Sequence, residues 1–359
     1  MWQKNRTIII LVAVALLIKL FSLFPEAVER YYAHGIYPVT SAIQRILLGW
    51  IPISIGDLLY GLAGLYLLIQ LIRLIKRLFR KQLNRQYWAN TLRRTVLVVL
   101  WIYVSFNLLW GLNYNRKGIA AELQLNVQPY EQEDLLVVMN TLIERLHILD
   151  STGRTDRERL QKKRNLFNGA ADAYDSLSLR ETAINYSFQS VKPSLYSYLG
   201  NYLGFTGYYN PWSGEAQVNT TVPIFVRPFT TCHEIGHQLG YAKENEANFA
   251  GYLSAKSSSD PAFRYSVYFD LYSYSWYYLY RQDSVLAKKM SEQLPLGVKK
   301  DYRELKAFWR RHRNPIETVI DNLYGQYLKA NQQPSGKLSY NEVIAWLIAY
   351  YKKNGKEAI

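Results

Sequence analysis

The pattern of apolar positions divides the chain into two textures. Three unbroken apolar runs come early, at residues 7–24, 55–72 and 95–112, each just long enough for a membrane-spanning helix. Lys19 and Asp57 sit near span ends, where snorkelling relieves most of their cost. The first run reads as an uncleaved anchor, because no small-residue cleavage pattern follows Phe24 and two further spans come after it. Between the first two runs, Ile43, Ile46, Leu47 and Trp50 recur at helical spacing, which predicts a helix lying in the membrane interface.

From residue 113 onward the pattern is that of a water-facing domain. Leu135, Val138, Met139, Leu142, Leu146 and Leu149 predict an amphipathic helix over 131–149, and a second is expected over 162–180. Residues 185–227 turn to Tyr, Ser, Gly and Pro with short β-favouring runs, so strands and turns are expected there. Two helices joined by a tight turn are predicted over 229–255, and further helices over 262–281, 301–313, 316–330 and 340–353. The aromatic positions Tyr265, Tyr268, Phe269, Tyr272, Trp276 and Tyr280 fall on one helical face and read as a core stripe. The expected fold class is α+β. A membrane anchor over 1–112, with three transmembrane helices, precedes a mostly helical domain with a small sheet over 113–359.

Charge adds an orientation. Residues 1–112 hold 13 Lys and Arg against 3 acidic residues, whereas residues 113–359 hold 30 against 25. The net charge of +15 therefore sits mainly beside the apolar runs, which fits a lipid bilayer as partner and argues against nucleic acid. Eight Lys and Arg from Arg73 to Arg94, with no acidic residue, separate the second and third spans. The positive-inside rule puts that loop and the N-terminus in the cytoplasm and everything after residue 113 on the far side. The single cysteine, Cys232, excludes an internal disulfide and any multi-cysteine metal cluster, and it reads as a buried small residue.

His233-Glu234-Ile235-Gly236-His237 carries the chemistry. On a helix, histidines at i and i+4 share a face and can grip one Zn²⁺, with the glutamate placed to take a proton from zinc-bound water. With 5 histidines in the chain, random placement produces roughly 0.003 such matches. Thr230 and Thr231 are the expected N-caps and Gly240 the expected stop. A catalytic zinc needs a third protein ligand and an open position. A histidine six residues past His237 is excluded, since Lys243 stands there, so a glutamate from the next helix is expected. Glu246 is the expected ligand and Glu244 the alternative, which would otherwise orient a ligand histidine. Small residues Ala247, Ala250 and Gly251 would let the two helices pack closely.

With an H-E-x-x-H followed by N-E on a second helix, the sequence resembles the gluzincin, thermolysin-like side of the zinc metallopeptidases. With the three-span anchor and HEIGHQLGYAKENEANF together, it resembles a bacterial family of membrane proteins of unknown function placed in that clan. The thermolysin pattern continues N-E-x-x-x-D, and here its last position is Ala250, so the aspartate that orients a histidine is missing there. The resemblance implies a zincin-like domain and an edge strand near 214–219 that pairs with extended peptide substrate. It also implies the inner membrane of a bacterium as the site, with the catalytic domain on its periplasmic side. Tyr208 or Tyr209 could donate to the oxyanion of the intermediate.

These readings converge on a membrane-anchored zinc metallopeptidase that hydrolyses peptide or protein substrates, with Glu234 as general base, zinc as cofactor and His233, His237 and Glu246 as ligands. The alternative is a non-catalytic metal-binding or structural protein of the envelope.

Overall fold

The computed structural model describes residues 2–181, 184–331, 333 and 339–359. Helix α1 (Trp2–Phe21) is followed by α2 (Pro25–Ala27), a π-helical stretch (Val28–Ile36) and α3 (Tyr37–Leu48). Next come α4 (Ile55–Phe79) and α5 (Arg85–Leu109). These two are long and apolar enough to cross a membrane, while Asn5–Phe21 and Pro25–Leu48 meet that measure only as a pair, bent by 99° at the break. Two or three helices are thus suited to a bilayer. The first apolar run ends in a sharp bend rather than running straight through Phe24. Most basic residues of the predicted loop continue α4 and α5 as helix, leaving a short turn at 80–84. Ser54 caps α4 by accepting from Asp57 N, and Asn84 caps α5 by accepting from Tyr87 N.

The rest of the chain is a helical body with one small sheet. It contains α6 (Ile119–Glu122), α7 (Gln132–Thr152), α8 (Lys163–Ser178), α9 (Ser197–Leu203), α10 (Arg227–Gln238) and α11 (Glu244–Ser257). It continues through α12 (Pro261–Gln282), α13 (Ser284–Glu292), α14 (Leu296–His312), α15 (Pro315–Ala330) and α16 (Ser339–Asn354). The core collects the apolar faces of α7, α8, α10, α11, α12 and α16. The predicted face of α7 is buried from Leu135 to Leu149, and its start is a capping box between Glu131 and Asp134. Tyr265, Tyr268, Phe269 and Tyr272 are buried as the stripe on α12 requires, while Tyr280 reaches the surface.

The sheet departs from expectation in one respect. Strands β1 (Val191–Pro193), β2 (Gly207–Asn210) and β3 (Glu215–Val218) lie in the order β1-β3-β2, with β1 parallel and β2 antiparallel to β3. The segment expected at the edge is therefore the middle strand. The reason is that Ser190 to Pro193 returns to pair with it, Ala216 N donating to Ser190 O. The edge facing the site is β2.

The apolar N-terminal helices do not hang apart from this body. Leu11, Ile18, Val28, Tyr32, Tyr37, Val104, Trp110 and Tyr114 form a second core with Tyr209 and Ala242 of the later domain. Glu29 and Arg116 pair at 2.7 Å within the same junction.

Candidate metal centre

Helix α10 carries the motif, and its two ends explain its placement. It starts at Arg227 with Pro228 in its first turn, four residues earlier than a cap at Thr230 would allow. Thr230 and Thr231 lie inside the helix, and Thr231 Oγ1 donates back to Arg227 O. The helix ends as expected at Gly240, whose φ of +88° suits glycine. There Tyr241 N donates to Gly236 O and Gly240 N to His237 O, which closes a Schellman turn. The last carbonyls are taken by the N-terminal helices. Trp110 Nε1 donates to His237 O at 3.0 Å, while Tyr37 Oη and Arg45 Nη1 donate to Gln238 O at 2.8 and 3.2 Å.

Helix α11 packs backbone to backbone against α10. A Cβ on Gly251 would lie 3.0 Å from His233 N, and one on Gly236 would lie 3.2 Å from Ala247 O. The small residues singled out in the sequence thus act as expected. Cys232 is buried beside them, 3.7 Å from Ser254 Oγ.

This packing brings His233, Glu234 and His237 together, each offering a ligand atom within 4.8 Å of the others. His237 Nδ1 lies 2.8 Å from Tyr241 O, so that nitrogen carries the proton and Nε2 presents its lone pair. His233 Nδ1 lies 2.8 Å from Asn248 Oδ1, which fixes its ring in the same sense. The two rings meet edge to face, 4.7 Å apart at 88°.

The nearest carboxylate from the second helix is Glu244, not Glu246. Glu244 Oε2 is 3.3 Å from His233 Nε2 and 3.8 Å from His237 Nε2, and its Oε1 accepts from Tyr324 Oη at 2.5 Å. Glu246 faces the other way, toward Lys243 Nζ at 3.4 Å and against Gly118, where a Cβ would collide with its carboxylate. Two residues on a helix differ by about 200°, so only one of the two glutamates can face α10.

The tyrosines expected to serve the oxyanion are turned elsewhere. Tyr208 Oη donates to Asp57 Oδ1 at 2.6 Å and lies 2.7 Å from Ser194 Oγ. Tyr209 packs its ring against Trp110 at 5.2 Å, within the junction core. Both still line the cleft, together with Tyr114, Tyr274, Tyr324 and Tyr327. None of the latter carried a sequence signal among 31 tyrosines.

Electrostatics separate the two central carboxylates. Burial pushes Glu234 up to about 7, more than the two imidazoles pull it down. Burial also works against ionising Glu244, but His233 and His237 beside it win and hold it well below the usual carboxylate range. For His237, burial disfavours the imidazolium, yet Glu244 and Glu234 raise its pKa. Gly207 of β2 lies over Glu234, since a Cβ there would come within 2.5 Å of Oε1.

The chain matches the model of a family described as a protein of unknown function (DUF3810) over residues 32–348. It belongs to that family. The matched span begins in the π-helical stretch after α1 and runs through α4, α5, α10 and α11 into α16. No curated protein and no solved structure matches the chain.

Proposed function

We propose that the protein is a membrane-anchored, zinc-dependent peptidase of gluzincin type. The observation that carries this reading is the convergence of His233 Nε2, His237 Nε2 and Glu244 Oε2, with Glu234 alongside. The donor set fits a zinc ion: two neutral imidazoles and one carboxylate is a catalytic combination that leaves a coordination position open. Glu234 Oε2, Glu244 Oε2 and Glu246 Oε2 are all buried without a hydrogen-bond partner among the described residues, and of these the first two lie beside the imidazoles, where an ion and a water would meet them. Asn248 and Tyr241 support the imidazoles from behind, and Tyr324 supports Glu244. Zinc bound there would supply Lewis acidity and lower the pKa of a coordinated water toward roughly 7.

The chain's own residues then divide the work. Glu234, with a proton affinity lifted by burial, accepts the proton of the attacking water and passes it to the leaving nitrogen. The outer edge of β2, with Gly207 against Glu234, is the backbone nearest to an extended substrate. Tyr274 of α12 and Tyr327 of α15 line the same cleft and are the candidate donors to a developing oxyanion. The test is a pair of full-length variants. Glu234→Gln is expected to keep zinc and lose hydrolysis, and His233→Ala to lose both. Undiminished hydrolysis in Glu234→Gln contradicts the reading.

A further inference from the structure

The metal centre lies in a cleft of about 1030 Å³, and one wall of that cleft is made by the helices suited to a bilayer. Tyr60 comes from the second turn of α4, and Val99, Ile102 and Phe106 from the last turns of α5. The lining on that side is aliphatic and aromatic, and Val99 and Ile102 are half exposed. The opposite rim is α9 and α15. Asp57 Oδ2 accepts from Leu195 N at 2.7 Å and Asp57 O from Tyr196 Oη at 2.9 Å, so α9 starts level with the first turn of α4. That rim is also apolar where it faces outward: Tyr198 is 72% exposed, and Ile316, Val319 and Leu323 share one exposed face of α15. Exposed apolar surface therefore lies both on the helices suited to a bilayer and on the rim formed by α9 and α15.

We propose that the cleft takes its substrate from the bilayer, and that this substrate is a polypeptide segment adjoining an apolar anchor embedded in the same membrane. The inference rests on the peptidase reading and on α4 and α5 as spans. A water-borne polar peptide gains nothing from a lipid-facing apolar wall beside the metal centre. A chain whose next segment is buried in lipid passes along that wall without losing its apolar environment, and confinement to the membrane raises its local concentration.

The test uses full-length Glu234→Gln protein in phosphatidylethanolamine–phosphatidylglycerol vesicles. A photo-crosslinking benzoylphenylalanine replaces Ile102, or Leu71 on the distant part of α4 as the control. The probes are two pools of short randomised peptides, identical except that one is joined to an apolar helix of about 20 residues. Capture at position 102 is expected to favour the tethered pool by about tenfold or more, an excess absent at position 71. Equal capture of both pools, or capture of phospholipid alone, overturns the proposal. Wild-type protein in the same vesicles separates the two readings. Specific capture without any cleavage by the zinc-loaded wild type leaves bilayer entry standing and overturns the peptidase assignment. Cleavage of both pools at equal rates, with equal capture, overturns bilayer entry alone.

Discussion

Asn248 Oδ1 stands 2.8 Å from His233 Nδ1, one helical turn beyond Glu244, whose Oε2 stands 3.3 Å from Nε2 of the same ring. One face of α11 thus holds both sides of one imidazole. The orienting side chain that the thermolysin pattern puts four residues after its glutamate is present here, as asparagine, once Glu244 is taken as that glutamate.

The first prediction follows from that pairing. Asn248→Ala frees the His233 ring and is expected to weaken zinc binding by about 10- to 100-fold, whereas Asn248→Asp restores most of it. Competition with a chelator of known affinity measures this. Unchanged affinity in the alanine variant contradicts the orienting role.

Gly207 sets the position of Glu234, the proposed general base. With a Cβ only 2.5 Å from Glu234 Oε1, Gly207→Ala must displace that carboxylate. Zinc content is expected to hold while turnover falls by about 100-fold, the cost of a misplacement on the order of 1 Å. Parallel loss of zinc would instead place the damage in the ligand set.

Gly251 sets the distance between α10 and α11. A Cβ there would lie 3.0 Å from His233 N and 3.1 Å from its Cα, both backbone atoms that cannot swing aside. Gly251→Ala is expected to cost about 1–3 kcal/mol of stability by forcing α10 and α11 apart. A melting curve of the metal-free protein checks it, and an unshifted transition counts against close packing as the reason for this glycine.

Much of this centre was legible in the sequence, and the parts that were not share a cause. The two histidines and Glu234 follow from local helical geometry, which the motif spacing encodes. The sequence favours Glu246 as third ligand, whereas the structure turns Glu244 toward the two imidazoles, because that choice depends on the rotation of α11 about its axis. Ala250 in place of the expected aspartate is the local sign that favours Glu244, since counting four residues on from Glu244 reaches Asn248. Tyr208 and Tyr209 could not be assigned from sequence, since their directions depend on Asp57 and Trp110, roughly 100 to 150 positions earlier. Tyr324 was equally hidden, reaching Glu244 across 80 positions. The apolar helices were plain from hydropathy, but nothing local showed that they would finish the motif helix.

That finishing role is itself testable. Arg45 is 6% exposed and donates to Gln238 O, where its charge also complements the C-terminal end of α10. Arg45→Ala is expected to destabilise the protein by about 1–3 kcal/mol, leaving part of a helix end unpaired. Chemical denaturation in detergent reads it. A change within error shows that Tyr37, Trp110 and Ser41, whose Oγ also donates to Gln238 O at 3.2 Å, suffice to cap the helix.

The central claim is that the metal centre is built from His233, His237 and Glu244. Zinc content of the purified full-length protein, measured by atomic emission for wild type, Glu244→Ala and Glu246→Gln, tests it most directly. About one zinc per chain is expected in wild type and in Glu246→Gln, and little in Glu244→Ala. Zinc retained by Glu244→Ala but lost from Glu246→Gln, or a wild-type protein that takes up none, contradicts it.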